Sequence, residues 1–284
     1  MVWLTIAKAY DKANSLVRAV FGKNLKGVGF FLRKIKSDHI FMLQGKKMFF
    51  NHNVAGCYVS LINGNYTEIE THRFIGTIID RLDHDVDFVD VGANVGEYIL
   101  DVAGHDRVKN IYAFEPHPEC AKTCKINLLL NGFDSKATVI QKILSQDTAP
   151  VHFSINAKAP NASAIMDINV LSEPTHYPST LDSELHGSSL PAILLIDVEG
   201  AEPLVMKGGR YFISHNKPLI IFEYNTTSKK YFNLNDIKDI LGIQYEIYRI
   251  RNDGYLDNQY NDTWNCVAVN IASEFYESAK SLLK

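Results

Sequence analysis

The sequence predicts an α/β fold, a mostly parallel, doubly wound sheet with helices on both faces. Three observations lead there. The runs "VDFVDV", "AILLIDV" and "KPLIIFEY" are short and almost wholly apolar, as central parallel strands covered on both sides must be. Between them lie stretches of helical period, giving the β-α-β rhythm of such sheets. At 284 residues and 46% apolar, the chain is long enough to bury a full core and too apolar for disorder.

At the start, "MVWLTIAKAYDKANSLVRAV" places Trp3, Ile6, Ala7, Tyr10, Ala13, Val17 and Val20 at helical spacing. Lys8, Asp11, Lys12 and Arg18 interrupt it, so it has neither the apolar core of a signal peptide nor that of a membrane span. Residues 1–50 hold ten Lys or Arg against two Asp, a net of +8, while the remainder holds nineteen against thirty, a net of −11. A basic amphipathic helix of this kind either packs on the acidic body or rests peripherally on an anionic membrane or partner. "HIFMLQGKKMFFNH" then reads as two strands around Gly45. We therefore expect a basic N-terminal extension over 1–66, a helix with a small β hairpin, ahead of a main domain over 67–284.

"NYTEIETHRFIGTIIDRL" has the pattern of an amphipathic helix with Thr67 as its N-cap. Past "VDFVDV", "VGEYILDVAGH" reads as helix and "KNIYAFE" as strand. "PECAKTCKINLLLNG" is a helix stopped by Asn131 and Gly132, and "KATVIQKIL" is a strand. Asn156 to Pro191 is polar and punctuated by proline, which suits a lid; Asn161, Ser163, His176 and Tyr177 could there hydrogen-bond a polyol. After "NLNDIKDILG", a helix, "QYEIYRI" and "TWNCVAVNI" flank a turn too short for a crossover, so these strands should be antiparallel. Seven strands result. Cys57, Cys120, Cys124 and Cys266 lack metal-type spacing and read as reduced thiols of a cytoplasmic protein.

The stretch "DFVDVGANVGEYIL" sets a tight turn directly after a strand. Gly92 and Gly96 would let the backbone turn and a ligand approach, Asp90 would meet a cationic amino group, and Asn94 the ligand's polar parts. Glu115 ends the next strand, where an acid accepts hydrogen bonds from ribose hydroxyls. A dinucleotide fingerprint would need a third glycine, and Asp90 would repel pyrophosphate. Adenosyl plus amino acid without phosphate describes S-adenosylmethionine. A nicotinamide-dependent oxidoreductase would leave Asp90 and the terminal hairpin unexplained, whereas the sheet of a class I methyltransferase ends in such a hairpin.

Across the predicted cleft, "LLIDVEGAE" ends a strand at Asp197, with Glu199 and Glu202 just beyond and Glu223 ending the neighbouring strand. Any of these carboxylates could accept a proton from a substrate hydroxyl, in the order Asp197, Glu199, Glu223. Asp197 could equally cap the following turn, and Glu202 could face solvent or a structural partner. The group could instead bind magnesium or calcium. No tight ligand spacing is visible, and no metal is assigned.

With "DVGANVGEY", "FEPHP" followed by "INLLLNG", "STLDSEL", "LLIDVEGAEPLVMKGG" and "IIFEYN" in this order, the chain resembles the FkbM family of S-adenosylmethionine-dependent methyltransferases. The resemblance covers roughly residues 60–225. It implies a class I, Rossmann-like methyltransferase fold, S-adenosylmethionine as donor, and O-methylation of a sugar, glycoconjugate or other small metabolite. It places Asp90, Gly92, Asn94, Gly96 and Tyr98 in the donor-binding turn, Glu115 at the ribose, and Leu144 and Ser145 on the adenine side. One departure is Leu195, where the family commonly carries lysine. A nucleic-acid methyltransferase is the remaining alternative. The body is acidic, and "DVEG" stands where amino methyltransferases of that kind carry an Asp-Pro-Pro-Tyr turn, so no nucleic-acid partner is expected.

Overall fold

The structure, a computed structural model, describes residues 2–21, 27–59, 61–154, 164–166, 176–187, 189–261 and 263–284. Its centre is an eight-stranded sheet. In chain order its strands are β3 (Val86–Val91), β4 (Val108–Phe114), β5 (Ala137–Ile140), β8 (Ala192–Ile196), β9 (Leu219–Glu223), β10 (Tyr245–Ile250), β11 (Leu256–Asp257) and β12 (Asn265–Asn270). They lie side by side as β11-β10-β12-β9-β8-β3-β4-β5. The five from β5 to β9 are parallel, while β12, β10 and β11 run antiparallel to their neighbours. The α/β class and the terminal hairpin are as the sequence predicts. The eighth strand is new: Leu256–Asp257 pairs with β10 inside what reads as a polar turn, and two residues carry no period-2 signal to find it by.

Alternation along the central strands separates two apolar layers. Phe88, Ile193, Leu195 and Ile221 face one, with Phe74, Ile75, Ile78 and Ile79 of helix α3 (Ile69–Arg81). Val89, Val91, Leu194, Ile196, Ile220 and Phe222 face the other. There they meet helices α6 (Leu181–Glu184), α7 (Glu202–Gly208), α8 (Arg210–Asn216) and α9 (Leu234–Leu241). The motif "STLDSEL" has a structural purpose here. Thr180 caps α6 in a capping box with Ser183, and the Asp182 carboxylate accepts the N–H groups of Tyr211 and Phe212 at 3.0 and 2.8 Å, capping α8. Helices α4 (Glu97–Val102), α5 (Pro118–Leu130) and α10 (Tyr276–Lys280) complete the body.

The N-terminal segment forms α1 (Val2–Phe21), α2 (Val28–Leu32) and the hairpin β1 (His39–Leu43) with β2 (Lys46–Phe50). Its core of Leu32, Leu43, Met48, Phe50 and Tyr58 is continuous with Val95, Leu100 and Cys120 of the body. Strand β2 is sealed by α5, where Asn127 and Asn131 side-chain oxygens accept the N–H groups of Phe49 and Lys47 at 2.6 and 2.9 Å. In α1, Ala7 is buried and Tyr10 packs on Phe31, while Trp3 and Ile6 remain 40% and 37% exposed. Val17 and Val20 have side chains outside the described residues. Another two-stranded pair joins β6 (His152–Ser154), just ahead of the expected lid, to β7 (Ala164–Met166) within it; Asn161 and Ser163 are outside the described residues.

Thr67 is not the N-cap of α3. Glu68 holds that position in a left-handed conformation (φ 48°) without a capping side-chain bond, and Thr67 donates its N–H and Oγ to the Glu97 carboxylate. The reason is the use to which Glu68 is put.

Candidate active site

Strand order reverses between β3 and β8, and the crevice outside their carboxyl ends is where such sheets bind ligands. The two ends are locked together. Val91 pairs with Ile196, and the Asp197 N–H donates to the Val91 carbonyl at 2.9 Å. Gly92 has φ 98°, and a Cβ on it would stand 1.8 Å from the Asp197 carbonyl oxygen. At Gly96, φ 87°, a Cβ would meet Cys124 Sγ at 2.8 Å. The atoms missing at these glycines therefore make room for the protein's own packing.

Within the turn, Asn94 has φ 49°, and its N–H donates to Glu115 Oε2 at 2.7 Å. Glu115 Oε1 accepts the His117 N–H at 2.7 Å, so this buried carboxylate ties the donor turn to the next loop while each oxygen keeps a free lone pair. Burial pushes Glu115 up to about 7. Asp90 is 1% exposed; burial, then the Glu115 charge, pushes it up to about 8. Asp90 Oδ2, Asn94 Oδ1 and His117 Nδ1 are all buried without a hydrogen-bond partner. Buried polar atoms are normally paired, so three orphans around one turn mark a place where a ligand belongs. Leu144 and Ser145 are both buried. The Ser145 N–H donates to Ser179 at 2.9 Å, and its carbonyl occupies the space beside Gly208.

On the other side of the turn, carboxylates gather. Burial and then Glu223 hold Asp197 well above the carboxylate range, with Glu68, Glu199 and Glu202 adding to it. Burial also raises Glu199, Glu223 and, to about 7, Glu202. Glu202 does not face solvent: it is fully buried at the start of α7. Its Oε1 accepts the N–H groups of Val198 and Gly200 at 3.0 and 3.2 Å, which fixes Glu199 in a left-handed conformation (φ 56°). Asp197, the sequence's candidate for a turn cap, leaves that task to Glu202. Beyond Gly200 opens a groove of about 570 Å³, lined by Tyr231, Lys207, Arg210 and Asp236 among others.

Two contributors have no sequence signal. Glu68 Oε2 accepts from the Tyr98 hydroxyl at 2.9 Å and from Asn265 Nδ2, bringing a fifth carboxylate to the mouth from ahead of α3. His72 lies stacked between Tyr66 and Tyr98, with ring centroids at 4.0 and 4.2 Å, and its Nδ1 pairs with Asp101 at 2.8 Å. Both are consequences of tertiary packing. Within "NYTEIETHRFIGTIIDRL" nothing sets Glu68 or His72 apart from the other residues of the helical pattern.

Residues 90–255 match the model of the methyltransferase FkbM domain, more than half of the chain. The chain belongs to the FkbM methyltransferase family. Solved structures similar to it include methyltransferase FkbM from Methylobacillus flagellatus, at 19% identity over 67% of this chain with a TM-score of 0.42. This chain spans 45% of that protein's length. An S-adenosylmethionine-dependent O-methyltransferase from Thermotoga maritima shares 12% identity over 83% of this chain and 78% of its own, with a TM-score of 0.46. TYW2 of M. jannaschii, in complex with AdoMet, shares 12% over 87% of this chain and 88% of its own, at 0.40. No curated protein matches the chain.

The cofactor of this FkbM methyltransferase is S-adenosylmethionine, and the turn fits it. Asp90 Oδ2, partnerless in a site where burial penalises its charge, is matched by an ammonium group. The free lone pairs of Glu115 suit vicinal ribose hydroxyls. Asp90 and Glu115, two buried acids at this turn, would repel a pyrophosphate. Among the described residues, no helix is long and apolar enough to cross a membrane.

Proposed function

We propose that this methyltransferase is an O-methyltransferase acting on a hydroxyl of a sugar, glycoconjugate or other small metabolite. The supporting observation is the acid-lined mouth directly across Val91 and Gly92 from the donor turn, with Asp197, Glu199 and Glu223 in it. In this reading Asp90 holds the donor's ammonium, Glu115 its ribose and Asn94 its polar edge. Gly92 and Gly96 shape the turn, Tyr98 closes it, and Leu144 and Ser145 stand on the adenine side. S-adenosylmethionine, when bound, supplies an electrophilic methyl group on a cationic sulfur.

Methyl transfer is an in-line displacement: the C–O bond forms as the S–C bond breaks. The chain's main task is to align the acceptor oxygen, and orientation alone contributes roughly 7–11 kcal/mol in favourable cases. Asp197 is the first choice to take the hydroxyl proton, then Glu199 and Glu223. Their raised affinity for protons makes them better bases than exposed carboxylates, and general-base assistance contributes on the order of 10²–10⁴ in rate. A hydroxyl carries no charge to be repelled there. A phosphate backbone would be, which supports the absence of a nucleic-acid partner. Tyr231, 68% exposed beside Gly200, offers a face on which a sugar ring could stack. Residues 1–66 act as an extension of the methyltransferase domain over 67–284.

The test is methyl transfer from labelled S-adenosylmethionine to a panel of sugars, glycosides and lysate metabolites, with product analysis for a new methyl ether. Asp197→Asn should lower kcat at least about 100-fold with donor affinity unchanged. Full turnover by that variant removes Asp197 from the role. A thermal shift with NAD and none with S-adenosylmethionine overturns the reading as a whole.

A further inference from the structure

We propose that Asp197, Glu202 and Glu223 hold a divalent cation with a preference for oxygen ligands, Mg2+, Mn2+ or Ca2+, at the acceptor mouth. One carboxylate oxygen from each lies within 4.8 Å of the other two. That spacing fits inside the roughly 4.6–5.2 Å diameter of a calcium ligand shell and needs only slight contraction for magnesium.

Proximity of acids is not the whole observation. Glu202 is 0% exposed and Glu223 5%, yet Glu202 Oε2 and Glu223 Oε2 have no hydrogen-bond partner at all. The other oxygen of each residue is already engaged, Glu202 Oε1 by the Val198 and Gly200 N–H groups and Glu223 Oε1 by Asn225 Nδ2. These bonds hold the two carboxylates in place and leave one buried oxygen of each for a further partner, as outer hydrogen bonds do for metal ligands. A buried carboxylate oxygen left without any partner is strongly disfavoured, and a cation serves both at once. Asp197, half-buried where the strand ends, closes the triangle on the cleft side and gives the ion its entry.

Three protein oxygens leave about three positions of a six-coordinate shell. Two adjacent hydroxyls would fill two of them, which narrows the acceptor to a vicinal diol, the pattern sugars carry. The ion would bind the acceptor oxygen beside the donor turn and ease loss of its proton. The bonds exchanged in methyl transfer stay the same, and Asp197, bound through one oxygen, would keep the other to receive the proton. The acceptor class rests on the O-methyltransferase reading; the ion site does not.

The experiment titrates the full-length, chelator-treated protein with Mn2+, followed by electron paramagnetic resonance, and with Mg2+ and Ca2+ by calorimetry, without acceptor present. One ion per chain is expected, with a rise in Tm. Glu223→Gln should weaken Mn2+ binding at least tenfold, while in cation-free buffer its Tm stays at or above that of the wild type and its affinity for S-adenosylmethionine is unchanged. If Glu223→Gln does not fold, Glu202→Gln is read the same way, and the wild-type titration stands by itself. No saturable binding of any of the three ions into the millimolar range, or equal binding by wild type and variant, overturns the site. Methyl transfer to a hydroxyl without ion binding would sink the ion and leave the O-methyltransferase reading intact. Ion binding with no hydroxyl acceptor would do the reverse.

Discussion

Asp90 is a carboxylate whose charge the free fold disfavours and a cationic ligand stabilises. Its folded-state pKa, about 8, lies above the unfolded value of 3.8, so the fold binds a proton that the unfolded chain has released. Stability from this group is full below the unfolded value, falls as pH rises toward 8, and is flat above it. Glu115 and Glu202, each raised to about 7, add to the same decline. Without donor, then, Tm should fall between pH 5 and pH 8. Asp90→Asn should remove up to about 1.4 kcal/mol per pH unit of that slope, measurable by urea melts across the range. The donor reverses the logic, because it needs the ionised form. Its affinity should rise from pH 6 toward pH 8 and then fall as its α-amino group, of pKa about 7.7–8.0, loses its proton. In Asp90→Asn the affinity should drop at least about tenfold and that rise should vanish, as calorimetric titration would show. An unchanged pH profile would detach Asp90 from the ammonium. Gly92→Ala is a different lesion. With a Cβ 1.8 Å from the Asp197 carbonyl and a positive φ, it should destabilise by about 3 kcal/mol and loosen both halves of the site together.

At the scale of elements, the terminal hairpin does more than finish the sheet. Pairing of β12 with β9 sets Asn265 opposite Glu223, and the Asn265 side chain donates to Glu68 and to Thr71 Oγ1, the latter at 2.9 Å. Strand β12 thereby fixes an acid from the far end of the domain at the acid-lined mouth. Asn265→Ala should lower stability by about 1–3 kcal/mol, since Thr71 and Glu68 are left buried, and should weaken methyl transfer beyond that loss. Full specific activity at reduced Tm would make Asn265 merely structural. Such links show where the sequence stops being legible. The strands and helices are readable because burial imposes period 2 or 3.6 on their residues, and Asp90, Glu115 and Asp197 because strand ends deliver them to one crevice. The role of Glu68, the stack of Tyr66, His72 and Tyr98, and the filling of the spaces beside Gly92 and Gly96 depend on segments more than twenty residues apart. No local period encodes them.

For the whole molecule, the separation of charge into a segment of +8 and a remainder of −11 is answered only in part by packing. Helix α1 turns Ala7, Leu4 and Tyr10 inward, with Tyr10 against Phe31 of α2. It also leaves Val2, Trp3, Ile6 and Leu16 exposed at 71, 40, 37 and 67%, on a helix whose Lys8 and Lys12 are exposed as well. Burial of one face thus leaves these apolar side chains partly in solvent. An apolar edge flanked by lysines suits the interface of an anionic bilayer, where each basic residue contributes about 1 kcal/mol and each buried CH₂ about 0.8. The protein should therefore sediment with vesicles containing phosphatidylserine and not with neutral ones, and less so as salt rises, because screening shortens the reach of the surface charge. Lys8→Glu with Lys12→Glu should cut binding at least about 30-fold while donor affinity in solution is unchanged, since neither residue approaches the cleft. Equal recovery with neutral and anionic vesicles, or none with either at low ionic strength, would assign the basic segment to the protein's own acidic body alone.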